Sequence, residues 1–228
     1  MCGRYTLSAP PQELMTLFAL TELPTLTPRY NIAPTQQIPI IRRISLQGGH
    51  QNELHLIRWG LIPGWSQSGG EGKPLINARS ETIEEKPSFK EGYQKRRCLL
   101  PASGFYEWER LGSQKQPYYV GLRKWRTFAM AGIWEQWKSP TGEIIQSSCI
   151  LTTEANSVLK PFHHRMPVIL SPEDYATWLG GNPSAFPALL KPFPAAQMQA
   201  VAVSTYVNST RNDDPSCIKP APIQQKLF

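Results

Sequence analysis

Apolar residues occur along the chain in short runs that are interrupted by polar turns. The 228 residues include 22 prolines and 16 glycines, which divide the sequence into short segments. Such frequent prolines and glycines argue against a helical bundle and favour many short strands joined by turns. We therefore predict an α+β or mostly β core.

Two segments carry helix signals. The first follows Ser8 and the pair Pro10-Pro11, and it places Leu14, Leu17 and Phe18 on one face at helical spacing. The second covers residues 171–179, SPEDYATWL, with a serine suited to the N-cap, proline next and acidic residues in the first turn. We predict a short helix at each place.

The remaining periodic segments predict strands. Residues 37–45 and 53–59 flank the sequence GGHQN and predict a hairpin. Four further strands follow in succession, which favours a curled antiparallel sheet. A last apolar strand, QAVAVS, precedes a polar tail that begins near Thr205. The four strands are predicted at 104–110, 117–122, 127–137 and 143–153.

Length and composition narrow the class of protein. No internal repeat or long linker divides the chain, so we expect one domain over 1–228, with a core at about 2–210 and a polar tail at about 211–228. We find no apolar run of the roughly 18 residues that a membrane helix needs and no signal-peptide pattern. We therefore expect a soluble intracellular protein without a membrane partner.

The charge balance is basic and the cysteines are isolated. The net charge of +7 and pI of about 9.3 favour a polyanionic partner, although a merely basic soluble protein fits equally well. The four cysteines show no CxxC spacing, and the four histidines complete no zinc pattern. We expect neither disulfides nor a metal site nor a cofactor.

The amino terminus carries the first candidate for chemistry. Cys2 follows Met1 directly, and its small side chain permits removal of the initiator methionine. A terminal cysteine offers an α-amine with a pKa of about 7.7–8.0 and a thiol with a pKa near 8.5. An aldehyde would form an imine with this amine, and the thiol would close a thiazolidine ring. A cysteine at this position can equally be accidental.

Other candidates lie in four segments. Glu107 in GFYEWER has apolar neighbours that would raise its pKa, unless it faces outward from its strand. His163 or His164 could transfer protons and Arg165 could hold a phosphate, although a surface loop explains them too. The segments RYNIAP (29–34) and LINARSET (75–82) pair Asn with Arg, which suits sugar-phosphate binding or simple turn capping.

Six ordered motifs resemble those of the SOS response-associated peptidase (SRAP) family, the abasic-site processing proteins. They are Met-Cys-Gly-Arg, Arg-Tyr-Asn-Ile-Ala-Pro, Trp-Gly-Leu-Ile-Pro, Asn-Ala-Arg-Ser-Glu-Thr, Gly-Phe-Tyr-Glu-Trp and His-Arg-Met-Pro-Val-Ile-Leu, between residue 2 and about 210. The resemblance implies an α+β domain built on a curled, barrel-like, mainly antiparallel sheet with short flanking helices. It also implies a basic groove for single-stranded DNA that contains abasic sites.

The resemblance also implies roles for particular residues. Cys2 would be the nucleophile, Asn77 would position the amine and the opened sugar, Glu107 would shuttle protons and His163 would lie beside the 3′ phosphate. His164 stands where we expect the family to have Asp, so the identity of the acting histidine is open. The DNA-binding residues implied are Arg4, Asn31, Pro34, Trp65, Arg79, Thr152 and Arg165.

Three hypotheses about function follow. The first is a DNA damage protein that crosslinks abasic sites covalently through Cys2, with a possible associated lyase activity. The second is a thiol autopeptidase that removes Met1, and the third is a non-catalytic reader of single-stranded or modified DNA. For the first we expect a cytoplasmic monomer, nucleoid-associated if bacterial, with replication-fork partners left open.

Overall fold

The computed structural model describes residues 2–22, 25–67 and 69–221 of the chain. Strands and α-helices alternate irregularly along it, and short 3-10 turns fill several connections. The strands are β1 (Tyr5–Leu7), β2 (Arg29–Ile32), β3 (Gln37–Leu46), β4 (Gly49–Trp59), β5 (Asn77–Arg79), β6 (Arg97–Ala102), β7 (Gly104–Leu111), β8 (Gln114–Leu122), β9 (Phe128–Lys138), β10 (Ile144–Glu154), β11 (Arg165–Pro167), β12 (Ile169–Leu170) and β13 (Met198–Ala202). The helices are α1 (Pro11–Phe18), α2 (Pro87–Lys95), α3 (Tyr175–Gly180) and α4 (Phe186–Leu189).

Five strands close into a barrel. Strand β3 pairs with β4 and β6, β6 pairs with β9, and β9 pairs with β10, all antiparallel. A parallel contact between β10 and β4 closes the ring, which makes the barrel mixed. The α+β class and the curled, barrel-like sheet are confirmed. Closure removes exposed strand edges and surrounds a core that contains the fully buried Trp59.

A second, antiparallel sheet packs beside the barrel in the order β13-β8-β7-β1-β2. The expectation that the four successive strands β7 to β10 form one sheet is wrong. Strand β8 pairs with β7 and β13, whereas β9 takes its partners from the barrel and from β12. The chain therefore passes from one sheet to the other between β8 and β9.

The predicted local elements form with small changes in their bounds. Helix α1 buries Leu14 and Phe18 as expected. The second helix begins instead as a 3-10 turn, Pro172–Asp174, and the Ser171 side chain makes no capping hydrogen bond. The β3–β4 hairpin turns tightly at Gln47 and Gly48, because Gly48 adopts a φ of 100°.

The segment that follows β13 folds back onto the antiparallel sheet. We call residues 205–221 the C-terminal strap; it contains the 3-10 turns Thr205–Asn208 and Pro215–Ile218. Asp213 of the strap accepts hydrogen bonds from the backbone N–H groups of Tyr30 and Asn31, at 2.5 and 2.8 Å, and forms an ion pair with Arg29. The residues expected to form a polar tail therefore pack against the antiparallel sheet as far as residue 221.

The four cysteines lie in the protein interior. Cys2, Cys98, Cys149 and Cys217 are all buried, and all have free thiols. Cys217 is held in the strap, where its thiol donates to the carbonyl of Asn212 at 3.4 Å. Within the described ranges, none of the helices is both long and apolar enough to cross a membrane.

Candidate active site

Two strands of the antiparallel sheet bring the amino terminus to Glu107. Strand β1 pairs with β7 through Tyr5 and Phe105, and the N–H of Tyr106 donates to the carbonyl of Arg4 at 3.0 Å. Because the strands are antiparallel, the residues before Tyr5 run towards Glu107. The sheet register therefore places Cys2 beside the predicted proton shuttle.

Cys2 is fully buried and held by Asn77. The side-chain Nδ2 of Asn77 donates to the backbone carbonyl of Cys2 at 3.0 Å. Burial, and then the negative charge of Glu107, raise the pKa of the Cys2 thiol well above its ordinary value. The thiol is therefore protonated at neutral pH and needs a base when it reacts.

Strand β5 presents Asn77 to the amino terminus. It pairs in parallel with β10, with Asn77 opposite Ile150, and the N–H of Ile150 donates to the carbonyl of Ile76 at 3.0 Å. The neighbouring Ala78 is fully buried, which anchors the strand in the core. Because this backbone is tied to a barrel strand, the Asn77 amide has a rigid support.

Glu107 lies on β7 with only 5% of its surface exposed. Burial raises the pKa of this carboxyl, and the positive charge of the amino terminus acts in the opposite direction. A carboxyl with a raised pKa can both accept and release a proton closer to neutral pH than an exposed glutamate. Glu107 therefore has the properties of a general acid or base, and the alternative of an outward-facing glutamate does not apply.

The structure distinguishes the two adjacent histidines. Nδ1 of His163 accepts the N–H of Arg165 at 2.9 Å, so the proton of the neutral ring is on Nε2. Burial, with the charges of the amino terminus and His164, lowers the pKa of His163 to about 4. The rings stack with centroids 4.3 Å apart, and His164 is exposed on the outer side. The hydrogen bond to Nδ1 therefore orients the partly buried ring of His163, whereas His164 is exposed.

A cleft of about 460 Å³ opens beside Glu107 and His163, and neither Cys2 nor Asn77 is among its lining residues. Most of its walls are basic or aromatic, and one side of the cleft belongs to the C-terminal strap. Asn208 of the strap accepts a hydrogen bond from Nε1 of Trp108 at 2.8 Å. The lining residues are Arg4, Glu107, Trp108, Arg110, Lys115, Phe162, His163 and Asn208.

Sequence reasoning missed several of these lining residues. Trp108 and Arg110 follow Glu107 on the same strand, but alternation directs them to the other face of the sheet, so the strand pattern alone does not predict that they share its cleft. Lys115 faces Arg110 across the following turn. Asn208 had no local signal, because the strap that carries it looked like a polar tail.

Arg4 and Asn31 meet beneath the strap. Nη1 of Arg4 donates to Oδ1 of Asn31 at 2.8 Å and to the carbonyl of Val207 at 3.1 Å. Asn31 is fully buried, and its Nδ2 lies within hydrogen-bond distance of the carbonyls of Val207, Ser209 and Asn212. Both side chains support the strap, and their contact with DNA stays a prediction.

Arg165 and Thr152 are likewise engaged inside the protein. The guanidinium of Arg165 binds both carboxylate oxygens of Glu81, at 2.7 and 2.8 Å, and donates to the carbonyl of Thr152 at 2.5 Å. The hydrogen bonds from Arg165 hold the pKa of the Glu81 carboxyl below its usual range. Thr152 is buried and donates to the carbonyl of Ala78 at 3.2 Å. Their binding to DNA stays a prediction.

Of the predicted DNA-binding residues, only Arg4 lines the cleft, and three of the others lie apart from the internal contacts described above. Trp65 is 66% exposed, Arg79 is exposed at the end of β5, and Pro34 is partly buried after β2. The structure brings Cys2 and Asn77 together beside Glu107, and it places these three elsewhere on the surface. Their exposure leaves them available to a ligand longer than the cleft.

Comparisons with known proteins identify the family of the chain. Residues 1–210 match the family model described as SOS response associated peptidase (SRAP). The abasic site processing protein YoqW of Bacillus subtilis is 39% identical over 226 residues, which cover 96% of this chain and 99% of that protein. The abasic site processing protein HMCES of Rattus norvegicus is 33% identical over 235 residues, which cover 87% of this chain and 67% of that protein. A crystal structure of a protein from Bacteroides thetaiotaomicron superposes with a TM-score of 0.86 at 31% sequence identity. The match covers 97% of this chain and 100% of that protein. The chain therefore belongs to the SRAP family.

Proposed function

We propose that this protein captures abasic sites in single-stranded DNA as a covalent thiazolidine crosslink through Cys2. The observation that carries the proposal is the hydrogen bond from Asn77 to the Cys2 carbonyl, which fixes the nucleophile near Glu107. The names of the relatives YoqW and HMCES, abasic site processing proteins, support the substrate. All the groups that the proposal uses come from one chain, so a monomer suffices.

The reaction uses both nucleophilic groups of a terminal cysteine. After Met1 is removed, the α-amine of Cys2 attacks the sugar aldehyde, and loss of water leaves an imine. The thiol sulfur then adds to the imine carbon, and the thiol proton ends on the nitrogen. The product is a five-membered ring, and high effective concentration favours its closure.

Glu107 is suited to the proton transfers. An abasic sugar is mostly a closed hemiacetal, and a base that takes the hydroxyl proton opens it to the aldehyde. The same carboxyl can return a proton to the departing water, and the carboxylate can then accept the proton of the Cys2 thiol. The raised pKa values of both groups mean that this thiol depends on an adjacent base.

His163 contributes as a neutral donor. With Nδ1 occupied by the N–H of Arg165, its Nε2–H is the group that can donate to a phosphate oxygen or to the departing water. Elimination of the 3′ phosphate from the imine would give a lyase activity. Closure of the ring by the Cys2 thiol consumes the imine and competes with that elimination.

The test is a denaturing gel with a single-stranded oligonucleotide that carries one abasic site. We expect a shifted band that survives denaturation with the wild-type protein and is absent with Cys2→Ala. The matched control is Cys217→Ala, which removes another buried thiol but leaves the amino terminus intact. Intact mass must first confirm that Met1 has been removed.

The outcomes separate the alternatives. If the wild-type protein has a free terminal cysteine and still gives no stable band, the crosslinking proposal is wrong. Binding that persists in Cys2→Ala without any stable complex in either protein would then favour a DNA reader. Retention of Met1 in an active preparation would also contradict the proposal, because the α-amine of Cys2 would be blocked.

A further inference from the structure

Two basic residues face each other at the outer end of the cleft. Arg110 on β7 pairs directly with Lys115 on β8, next to the turn that joins the strands. Like charges at directly opposed positions of an antiparallel pair destabilise a sheet. Within residues 2–22, 25–67 and 69–221, neither side chain forms an ion pair. In the described part of the chain, the repulsion between the two charges is therefore not offset by an ion pair.

The acidic residue between them in sequence does not neutralise the pair. Side chains alternate along a strand, so Glu109 faces the side of the sheet opposite to Arg110. Its carboxylate accepts a hydrogen bond from the hydroxyl of Tyr118 at 2.9 Å. The unfavourable pairing of Arg110 and Lys115 has no explanation in the contacts of the sheet itself.

The pair belongs to the same cleft as the reactive groups. Arg110 and Lys115 line it together with Glu107 and His163. Arg110 lies three residues beyond Glu107 on β7, about 10 Å along the strand, and alternation directs the two side chains to the cleft from opposite faces of the sheet. A DNA strand that follows the cleft from Glu107 would pass its backbone along Arg110 and Lys115.

We propose that Arg110 and Lys115 form a phosphate subsite for the DNA backbone beside the abasic nucleotide. This inference rests on the proposed function. Arginine supplies a planar fork that suits two phosphate oxygens, and lysine adds a compact positive charge. Phosphate contacts of this kind set the register of a strand without reading its bases. The subsite thus explains why like charges are kept together on the hairpin.

The test measures noncovalent binding, so it does not depend on the crosslink. The probe is a fluorescent single-stranded oligonucleotide with one tetrahydrofuran abasic analogue, which has no aldehyde, and affinity is read by anisotropy at several salt concentrations. Each phosphate contact to a single strand contributes about 0.7 to the slope of log affinity against log salt concentration. Because the two residues share one phosphate, we expect the double variant Arg110→Ala/Lys115→Ala to lower that slope by about 0.7.

The matched control is Lys124→Ala/Arg126→Ala, which removes the same charge from exposed residues of the β8–β9 connection. We expect the control to keep nearly the wild-type slope. An equal loss of slope in the control would show a net-charge effect and overturn the proposal. Circular dichroism melting curves confirm that both variants are folded.

A phosphate scan locates the contact. Single methylphosphonate substitutions remove one backbone charge at a time, and we expect one position near the analogue to weaken wild-type binding. The Arg110→Ala/Lys115→Ala variant should be insensitive at that position. Equal sensitivity of both proteins at every position would overturn the subsite. If the scan succeeds but an aldehyde substrate is never captured, the subsite stands and the covalent function fails.

Discussion

Asn31 offers the sharpest test of how the site is assembled, because the structure uses it differently from the sequence-based expectation. Its fully buried amide accepts from Arg4 and donates towards three strap carbonyls. Substitution by alanine removes both donors and the acceptor, and leaves buried carbonyls without partners. We therefore expect Asn31→Ala to destabilise the whole protein and to loosen the strap.

The magnitude follows from the bonds lost. A neutral hydrogen bond contributes about 1 kcal/mol, and one to a charged group contributes about 2 kcal/mol. With two amide donors and the bond from Arg4, the expected loss is about 4 kcal/mol. For a chain of 228 residues, 1 kcal/mol shifts Tm by about 2–4 °C, so Tm should fall by about 10 °C.

Thermal unfolding followed by circular dichroism measures this loss. The control is Gln199→Ala on β13, which removes an exposed amide and should leave Tm nearly unchanged. If Asn31→Ala kept the wild-type Tm and instead weakened DNA binding at every salt concentration, the structural role would be refuted. Asn31 would then be a direct DNA contact.

Two further predictions concern proton transfer. Glu107→Gln should slow crosslinking by about a hundredfold, with little change in binding of the abasic analogue. Because the carboxylate acts as the base, the wild-type rate should fall more steeply as pH drops through the raised pKa of Glu107. Glu107→Gln should lose this added decline and keep only the decline that comes from protonation of the α-amine. An unchanged rate would remove Glu107 from the mechanism. His163→Gln should leave the pH dependence of analogue binding unaltered between about pH 5.5 and 7.5, since a pKa of about 4 keeps His163 neutral there. If the wild-type protein instead bound the analogue more tightly below about pH 6.5, and His163→Gln did not, His163 would be protonated and cationic in that range.

Local patterns predicted the groups that lie on regular strands. The alternation in GFYEWER placed Glu107 on a strand between aromatic residues, and the structure shows a buried carboxyl there. The α1 helix and the strands β7 to β10 follow equally local signals. Each of these elements is determined by residues close together in sequence.

Non-local partners explain what the sequence could not predict. The carbonyls bound by Asn31 lie up to 181 positions away, and the carboxylate bound by Arg165 lies 84 positions away. Asn and Arg suit a backbone carbonyl or a carboxylate as well as they suit a phosphate. The residue type gave the chemistry of the contact, and only the fold determined its partner. The parallel pairing of β4 with β10 is non-local in the same way.

The strap has a consequence for the order in which the molecule is made. Cys2 precedes Asn208, the strap residue that lines the cleft, by 206 positions in the sequence. At about 5–20 residues per second, synthesis of that interval lasts roughly 10–40 seconds. During this time Cys2 and Glu107 belong to a chain that lacks the strap side of the cleft. Full assembly of the cleft therefore waits until the strap has been synthesised.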